Sequence, residues 1–432
     1  MSEMKSLTPL AQNYVDRFDA LRATLPGHGN PLVASAREAG LARFAALDFP
    51  GRKVEEWRFT NLTPLTKGIE QAEAPAADSV PAPEFDTPHV MTFINGRFSA
   101  HDSHLDDLPQ GIRLASLAAE LGAGNNALPD SAAEESRAVV ALNTAFMEDG
   151  FVLTAEPGVT IEEPILIRFL SQSGTADNAR HMRNLIRLGA DAEVTLLEEH
   201  RGMSGHAYFA NPVTDIALED GAALHHYKLQ AESDAAFHLA NVDCDIPKGA
   251  TYENFSLSTG ARLSRNELAT RITGSGATSI LNGAYLMRGT QHCDTTTVTR
   301  HLVPENDSRQ IYKGILDDDA QGVFQGKIHI APDAQKVAGD QLSRALLLSE
   351  RASVAVKPEL EIYADDVKCS HGASSGELDA DAYFYLQSRG IDEKTARKML
   401  IDAFLADVLE EVSNEAVRSY FADVTARWMD EV

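Results

Sequence analysis

The sequence predicts a β-solenoid enclosed between two helical ends. A glycine turn recurs about every 27–32 residues, within the 20–50-residue period typical of stacked repeats, at Gly158, Gly189, Gly221, Gly249 and Gly276. Alternating β-branched runs such as 193–197 and 295–299 lie between the turns, without an apolar pattern of helical length. Helical periodicity is confined to the two flanks. A β-sandwich with evenly spaced hairpins is the alternative.

Two helices are predicted near the N-terminus. Apolar residues at helical spacing indicate a first helix over 9–23. Pro31 is well placed as the first residue of a second helix that extends to about Leu47. The charged segment 53–62 contains Trp57, one of two tryptophans. We interpret it as an anchor that packs on these helices rather than as a recognition loop.

The remainder of the N-terminal region is predicted to be mixed. Residues 70–88 are rich in Ala, Pro and acidic residues and suggest a linker. The pair Asn95-Gly96 predicts a hairpin, and the pattern over 115–147 predicts a helix. We therefore assign residues 1–150 to a helical and mixed cap, which would cover one end of the solenoid.

The apolar period changes near the C-terminus. Asp379 is placed to cap one helix and Asp392 to cap a longer one, and 417–428 carries the apolar stripe of a third. Three short amphipathic helices have little core of their own, so one face could bind a partner. The resulting boundaries are 151–371 for the β-helix core and 372–432 for a C-terminal helical domain.

Charge and composition limit the classes of partner. The chain has 432 residues, of which 38 are basic and 64 acidic, for a net charge of −26. This charge repels phosphate backbones and anionic lipids, so we expect no nucleic-acid or membrane partner. Three cysteines are too few for a disulfide framework, and no apolar run is long enough to span a bilayer. The composition predicts a soluble, cytoplasmic protein.

The densest group of reactive side chains is the string 365–372, at the expected end of the solenoid. On a strand, Cys369 and His371 share one face and Ser370 lies on the other. The two residues would be roughly 6.7 Å apart. That separation is awkward for a Cys–His nucleophile pair, which needs a direct hydrogen bond. It suits a thiolate and an imidazole that reach towards one metal ion or cluster, so Cys369 and His371 are candidate metal ligands.

Two histidine-containing groups are interpreted as structural. His292 and Asp294 share a strand face while Cys293 points away, so these three residues cannot form one ligand set by themselves. His225 and His226 are likewise divided between two faces, and we expect one of them to be exposed.

Residues Asp317, Asp318 and Asp319 allow a second interpretation. They could bind calcium or act as the carboxylates of a polysaccharide-cleaving β-helix enzyme, although a solvated turn between two coils is favoured. An enzyme acting on an acidic polysaccharide would need a basic groove, which the net charge argues against. The pair Gly326-Lys327 superficially resembles part of a phosphate-binding loop. The first glycine and the Ser or Thr of that motif are missing, so we expect no nucleotide binding through it.

Several segments collectively resemble the SufB/SufD family of iron–sulfur cluster assembly scaffolds. In chain order they are 313–316, 323–328, 334–336, Gln341, 346–349, 358–362, 364–372 and 384–391. The close match covers roughly 285–405, and a looser one covers the whole chain. The string 368–372 and the segment 55–60 are more similar to the SufD branch than to the SufB branch.

The resemblance implies a right-handed parallel β-helix between helical terminal domains. It also implies a heterodimer with SufB through the last β-helix strands, and docking of the SufC ATPase on the C-terminal helices. His371 would face a transient Fe–S cluster shared with SufB, with Cys369 beside it. A reduced flavin is associated with assembled complexes of the family, although the chain shows no flavin motif. Whether the isolated chain forms a homodimer stays open.

We therefore interpret the chain as a non-catalytic scaffold subunit of the SUF complex, contributing to nascent cluster assembly or iron acquisition. Two alternatives remain. The first is a β-helix carbohydrate lyase or hydrolase using Asp317–Asp319, which would need an aromatic and basic groove, while aromatic residues form 7% of the chain. The second is a purely structural partner of SufB without cluster contact.

Overall fold

The structure is a computed structural model that describes residues 6–69, 80–124, 137–161, 163–172 and 178–430. Its helices are α1 (Pro9–Leu21), α2 (Pro31–Leu47), α3 (Thr63–Thr66), α4 (Leu117–Gly122), α5 (Ala138–Phe146), α6 (Ala380–Ser388), α7 (Glu393–Leu409) and α8 (Glu415–Asp430). The first strands are β1 (Val90–Ile94), β2 (Arg97–His104), β3 (Ile112–Ser116), β4 (Phe151–Ala155), β5 (Ile165–Ser171), β6 (Ala179–Arg180), β7 (Arg183–Leu188), β8 (Glu193–Gly202), β9 (Phe209–Ala210) and β10 (Val213–Leu218). The remaining strands are β11 (Ala223–Ala231), β12 (Phe237–Ile246), β13 (Thr251–Ser258), β14 (Leu263–Ile272), β15 (Thr278–Met287), β16 (His292–His301), β17 (Asp307–Leu316), β18 (Gln321–Ile330), β19 (Val337–Leu347), β20 (Ser353–Ile362) and β21 (Val367–Gly376).

The strands form a β-solenoid of about seven turns. One sheet has the order β2-β1-β5-β8-β11-β13-β15-β17-β19-β21, and we call it sheet A. The facing sheet, sheet B, follows β20-β18-β16-β14-β12-β10-β7-β4-β3. From β12 onwards, successive strands of sheet B pair in parallel over up to ten residues without a register shift. The predicted solenoid is confirmed, and the β-sandwich is wrong, because from β10 onwards chain-adjacent strands alternate between the two sheets instead of forming hairpins.

The glycine turns set the length of each coil. Gly221, Gly249 and Gly276 all have positive φ, near +70°, which residues with a side chain rarely adopt. They also stack directly on one another, since a Cβ added to Gly249 or Gly276 would lie 3.9 Å from the preceding glycine backbone. The same left-handed turn therefore recurs at the same corner of successive coils.

Antiparallel strands close the first end of the solenoid. The hairpin of β1 and β2 adds to β5 in sheet A, and β3 pairs antiparallel with β4 in sheet B. Asn95 and Gly96 both have positive φ, which confirms the predicted hairpin turn. The helical character predicted for 115–147 is confirmed from Leu117, where α4 begins, and only Ala115 and Ser116 belong to β3 instead. Residues 125–136 lie outside the described chain, and α5 completes the segment.

The N-terminal helices pack on the outer face of sheet B. Their bounds, Pro9–Leu21 and Pro31–Leu47, confirm the two helices predicted there. Tyr14, Phe44 and Phe146 form one apolar cluster with Phe209 and Leu263 of sheet B. Of the expected linker 70–88, residues 70–79 lie outside the described chain.

Trp57 anchors the segment between α2 and α3 to the solenoid. Its indole is buried, and the Arg265 guanidinium lies 4.1 Å from the ring centroid. Thr60 donates to the Asp294 carboxylate, and Gln325 donates to the backbone carbonyl of Glu56 at 3.0 Å. These contacts show that the segment acts as an anchor, as the sequence predicted.

We expect Trp57→Ala to lower the free energy of unfolding by about 3–5 kcal/mol, because it leaves a cavity and removes the ring under Arg265. Urea denaturation followed by circular dichroism measures this loss. Leu32→Ala is the matched control, since Leu32 is 62% exposed and should change stability by less than about 0.5 kcal/mol. Equal stability of the two variants would show that Trp57 is no anchor.

The C-terminal helices cover the outer face of sheet A. Ile401 and Leu405 of α7 and Phe421 of α8 are buried against sheet residues such as Phe255 and Ile315. Asp379 and Asp392 accept backbone N–H bonds at the starts of α6 and α7, which confirms the predicted caps. Helix α6 differs from its neighbours, because none of its residues is buried.

Candidate functional site at the open end of the solenoid

The last coil, formed by β20 and β21, is left uncovered. Among the described residues, β21 pairs only with β19, and β20 pairs only with β18. The inward-facing positions of β20 are apolar and only half-buried or exposed: Val354, Val356, Pro358, Leu360 and Ile362. An unpaired strand edge beside an uncovered apolar row is a site where another chain can add.

The two edge strands differ in their capacity to accept a further strand. Pro358 lies within β20 and has no N–H, so one hydrogen bond is missing from that strand. Strand β21 contains no proline over its ten residues. Sheet A therefore offers the more complete edge for strand addition.

Cys369 and His371 lie on β21 and belong to its inward-facing row. They are in register with Gly339 and Gln341, which are buried inward-facing residues of β19. Ser370 points outwards, and its hydroxyl donates to Asp340 at 2.6 Å. The thiol and the imidazole thus stand side by side over the open end of the coil, as the alternation of the strand predicts.

The environments of the two side chains differ. Cys369 is half-buried and packs against Ile328 and its apolar neighbours. This burial raises the pKa of the Cys369 thiol above its usual value, so the thiol is protonated at neutral pH until a metal or a cation favours the thiolate. His371 is exposed and is the more accessible of the two candidate ligands.

A buried row of hydrogen-bonded side chains ends at Gln341, the register partner of His371. Gln341 donates to Gln310 at 3.0 Å, and Gln310 in turn donates to Thr299 at 3.2 Å. Gln341 Oε1 is buried and accepts no hydrogen bond. Gly326 makes room for this amide, since a Cβ at that position would lie 1.9 Å from Gln341 Nε2. A free acceptor is therefore held next to the register position of His371.

The other candidates from the sequence have structural partners. Thr60 lies 3.0 Å from His292 Nε2 and donates to Asp294, whereas Cys293 is buried in the interior. This arrangement joins the N-terminal segment to sheet B and does not form a ligand set.

Neither histidine of the pair 225–226 is fully exposed. His226 is buried and bonded to Glu198 at 2.9 Å, and His225 is half-buried and bonded to Glu253 at 2.7 Å. The expectation that one of them is exposed is wrong, because Ser413, just before α8, covers His225.

Asp317, Asp318 and Asp319 form the turn between β17 and β18. Asp318 has a positive φ of 52°, and the flanking carboxylates pair with Arg397 at 3.2 Å and Arg351 at 2.7 Å. These contacts fit the predicted solvated turn and leave the alternative enzyme without a free carboxylate pair.

The C-terminal helices present a second uncovered surface. Phe384 and Tyr385 on α6 are 71% and 56% exposed, and Met399 on α7 is 44% exposed. Exposed large apolar and aromatic side chains of this kind are typical of protein interaction surfaces.

Sequence reasoning did not identify a group of buried titratable residues inside the solenoid. It contains Glu198, His200, Lys228, Glu232 and His238. Burial lowers the pKa of Lys228 to about 8 and that of His238 to about 4. The sequence did contain a pattern that could have identified part of this group. Glu198 and His200 on β8 and Lys228 on β11 lie an even number of residues from the inward-facing apolar residues of their own strands. Side chains at such positions point into the core.

Fold and site together define a β-solenoid protein whose terminal strand β21 carries a cysteine and a histidine and has one edge without a partner strand. The family models described as "SUF system FeS cluster assembly, SufBD core domain" and "SufBD protein N-terminal region" match residues 169–404 and 8–167. The chain therefore belongs to the SufBD family of iron–sulfur cluster assembly proteins, and the resemblance found in the sequence is confirmed.

Similar proteins carry related names. An iron–sulfur cluster assembly SufBD family protein of Synechocystis is 31% identical over 408 residues, covering 90% of each chain. The iron–sulfur cluster assembly protein SufD of Escherichia coli is 30% identical, covering 85% of this chain and 86% of its own. The chloroplastic protein ABCI7 of Arabidopsis thaliana is 29% identical, covering 93% of this chain and 86% of its own. Among the described residues, none of the helices is long and apolar enough to cross a membrane.

Proposed function

We propose that the chain is the scaffold subunit that pairs with SufB through its open coil and holds part of a nascent Fe–S cluster there. The observation that carries this proposal is the inward row of β21, where Cys369 and His371 stand on an unpaired edge. A thiolate and an imidazole are suitable iron ligands, and an incomplete pair requires further ligands from another chain. The cluster is cargo in this proposal, and the chain supplies no catalytic group.

The apolar row of β20 supports pairing with a second solenoid. Its residues are half-exposed in the isolated chain, and an identical or related open coil would cover them while extending sheet A. A homodimer through the same surface is the competing arrangement when SufB is absent. The three unpaired cysteines fit a reducing compartment such as the cytoplasm.

We propose that SufC docks on the C-terminal helices at the exposed side chains of Phe384 and Tyr385 on α6 and of Met399 on α7. Helix α6 lacks a buried residue, so it contributes little to the core. Helices α7 and α8 cover sheet A, and their deletion would expose the apolar residues beneath them. Point substitutions on α6 are therefore a sharper test than truncation.

Purification of the tagged full-length chain from its own cells tests both contacts. The wild-type chain should recover SufB and SufC. Phe384→Ala combined with Tyr385→Ala should lose most of the SufC, by about tenfold or more, and retain SufB, because aromatic anchors dominate such interfaces. Leu32→Ala, an exposed residue of α2, is the control. SufC recovered at the wild-type level by the double variant would place its docking surface elsewhere.

A further inference from the structure

The interior of the solenoid contains a compact group of three metal-ligand side chains, distant from Cys369 and His371 in the sequence. His200 lies on β8, His238 on β12, and Glu232 directly follows β11. One ligand atom of each residue lies within 4.8 Å of those of the other two, and all three side chains are buried.

The two imidazoles are held in fixed orientations. His200 stacks on Phe169 with 4.6 Å between ring centroids. The His238 ring stands edge-on to His200, with 5.0 Å between centroids and 79° between planes. Rings fixed in this way need little rearrangement to approach a shared ion, which favours binding.

The Glu198 carboxylate determines which nitrogen of His200 can bind a metal ion. His200 Nε2 lies 3.0 Å from Glu198 Oε2, and the other Glu198 oxygen lies 2.9 Å from His226. When His200 donates Nε2–H to this carboxylate, Nδ1 carries the lone pair. A histidine bonded to a carboxylate through its second nitrogen is the usual arrangement around metal-bound imidazoles.

Glu232 and His238 converge on the same space in the interior. Glu232 Oε2 lies 2.6 Å from His238 Nδ1, and both side chains are buried. A metal ion bound between them would replace the proton that His238 carries on Nδ1. A cavity of about 20 Å³ lies beside His200 and Glu232, and a cavity of about 10–15 Å³ already holds one water molecule.

Lys228 is the neighbouring group that opposes a cation. Its ammonium nitrogen lies 2.8 Å from His238 Nε2. The carboxylates of Glu198 and Glu232 both lie in the same buried group and offset this charge. An ammonium that donates to Nε2 leaves the proton of His238 on Nδ1, so Lys228 opposes both the charge of a metal ion and its access to Nδ1.

We propose that His200, Glu232 and His238 form a buried site for a divalent first-row transition-metal ion. Two imidazoles and one carboxylate suit Zn²⁺ and Fe²⁺, whereas calcium and magnesium prefer all-oxygen sites. The proposal does not depend on the proposed function, because it involves neither the open coil nor a partner chain.

The experiment uses the full-length chain carrying Cys369→Ser and His371→Ala, so that the open end contributes no metal. The chelator-treated protein is incubated separately with Zn²⁺ and, without oxygen, with Fe²⁺, then desalted and analysed by mass spectrometry for metal content. We expect about one ion per chain to be retained in at least one arm, with slow uptake because the site is buried. His238→Gln should retain at least about tenfold less. His181→Gln is the control, since that buried histidine instead contacts Tyr14 and Asn211.

A second measurement, the absorption spectrum of bound cobalt, keeps the test valid if the His238→Gln variant fails to fold. Co²⁺ bound to the background protein by two imidazoles and a carboxylate should give visible d–d absorption bands, which report the ligand geometry without a substitution in the interior. Lys228→Met should tighten binding by about tenfold or more, because it removes the opposing charge. The proposal is overturned if the background protein retains neither ion and gives no cobalt bands, or if folded His238→Gln retains as much metal as the control.

Discussion

Ile362→Asp should weaken pairing with SufB by about 100-fold or more. Ile362 belongs to the inward-facing row of the open coil and is 39% exposed in the isolated chain. A carboxylate there remains partly hydrated in the free chain, so folding is affected little. Pairing would bury it without a counter-charge at a cost of several kcal/mol, and about 2.7 kcal/mol already corresponds to 100-fold in affinity.

The measurement is the dissociation constant of the purified chain for SufB, by calorimetry or surface binding, with circular dichroism as a check of folding. Leu32→Asp is the matched control, because it introduces the same charge at an exposed leucine of α2, whose neighbours are α1 and α5. Wild-type affinity in folded Ile362→Asp would show that the open coil is not the pairing surface.

Features encoded by local sequence could be predicted, because their cause lies within a few residues. The Asn95-Gly96 turn, the Asp379 and Asp392 caps and the glycine corners each depend on backbone conformations or hydrogen bonds that short segments specify. The solenoid followed from the repetition of those corners.

Features that depend on contacts between coils could not be predicted in the same way. A helix was predicted to begin at residue 115, yet Ala115 and Ser116 form the end of β3 because β4 offers that strand an antiparallel partner. His200 and His238 belong to different sheets and meet only inside the folded coils. The sequence indicates that such residues face inwards, but only the register brings them together.

The candidate site could be predicted because its two residues lie close together in the sequence. Cys369 and His371 lie two residues apart on one strand, so their shared face follows from alternation alone. Gln341 was not given a role, because its position beside His371 depends on the pairing of β19 with β21. The hydrogen bond that Gln341 donates to Gln310 is likewise a contact between two coils.

His371→Ala should lower the cluster content of the assembled complex by about tenfold or more, because it removes the more accessible of the two proposed ligands on β21. Folding and assembly should be almost unchanged, since an exposed imidazole contributes little packing. Cys369→Ser should have a smaller effect, because the Cys369 thiol is half-buried and must first be deprotonated.

The most direct test is the amount of iron and acid-labile sulfide per assembled complex, compared between His371→Ala and Ser370→Ala. Ser370 is the neighbouring residue on the outward face and bonds to Asp340, so its loss disturbs the same strand without touching the inward row. We expect Ser370→Ala to keep the wild-type cluster content and His371→Ala to lose most of it at equal recovery of the complex. A His371→Ala complex that assembles normally and accumulates the wild-type amount of iron and sulfide would contradict the assignment and leave the chain a purely structural partner.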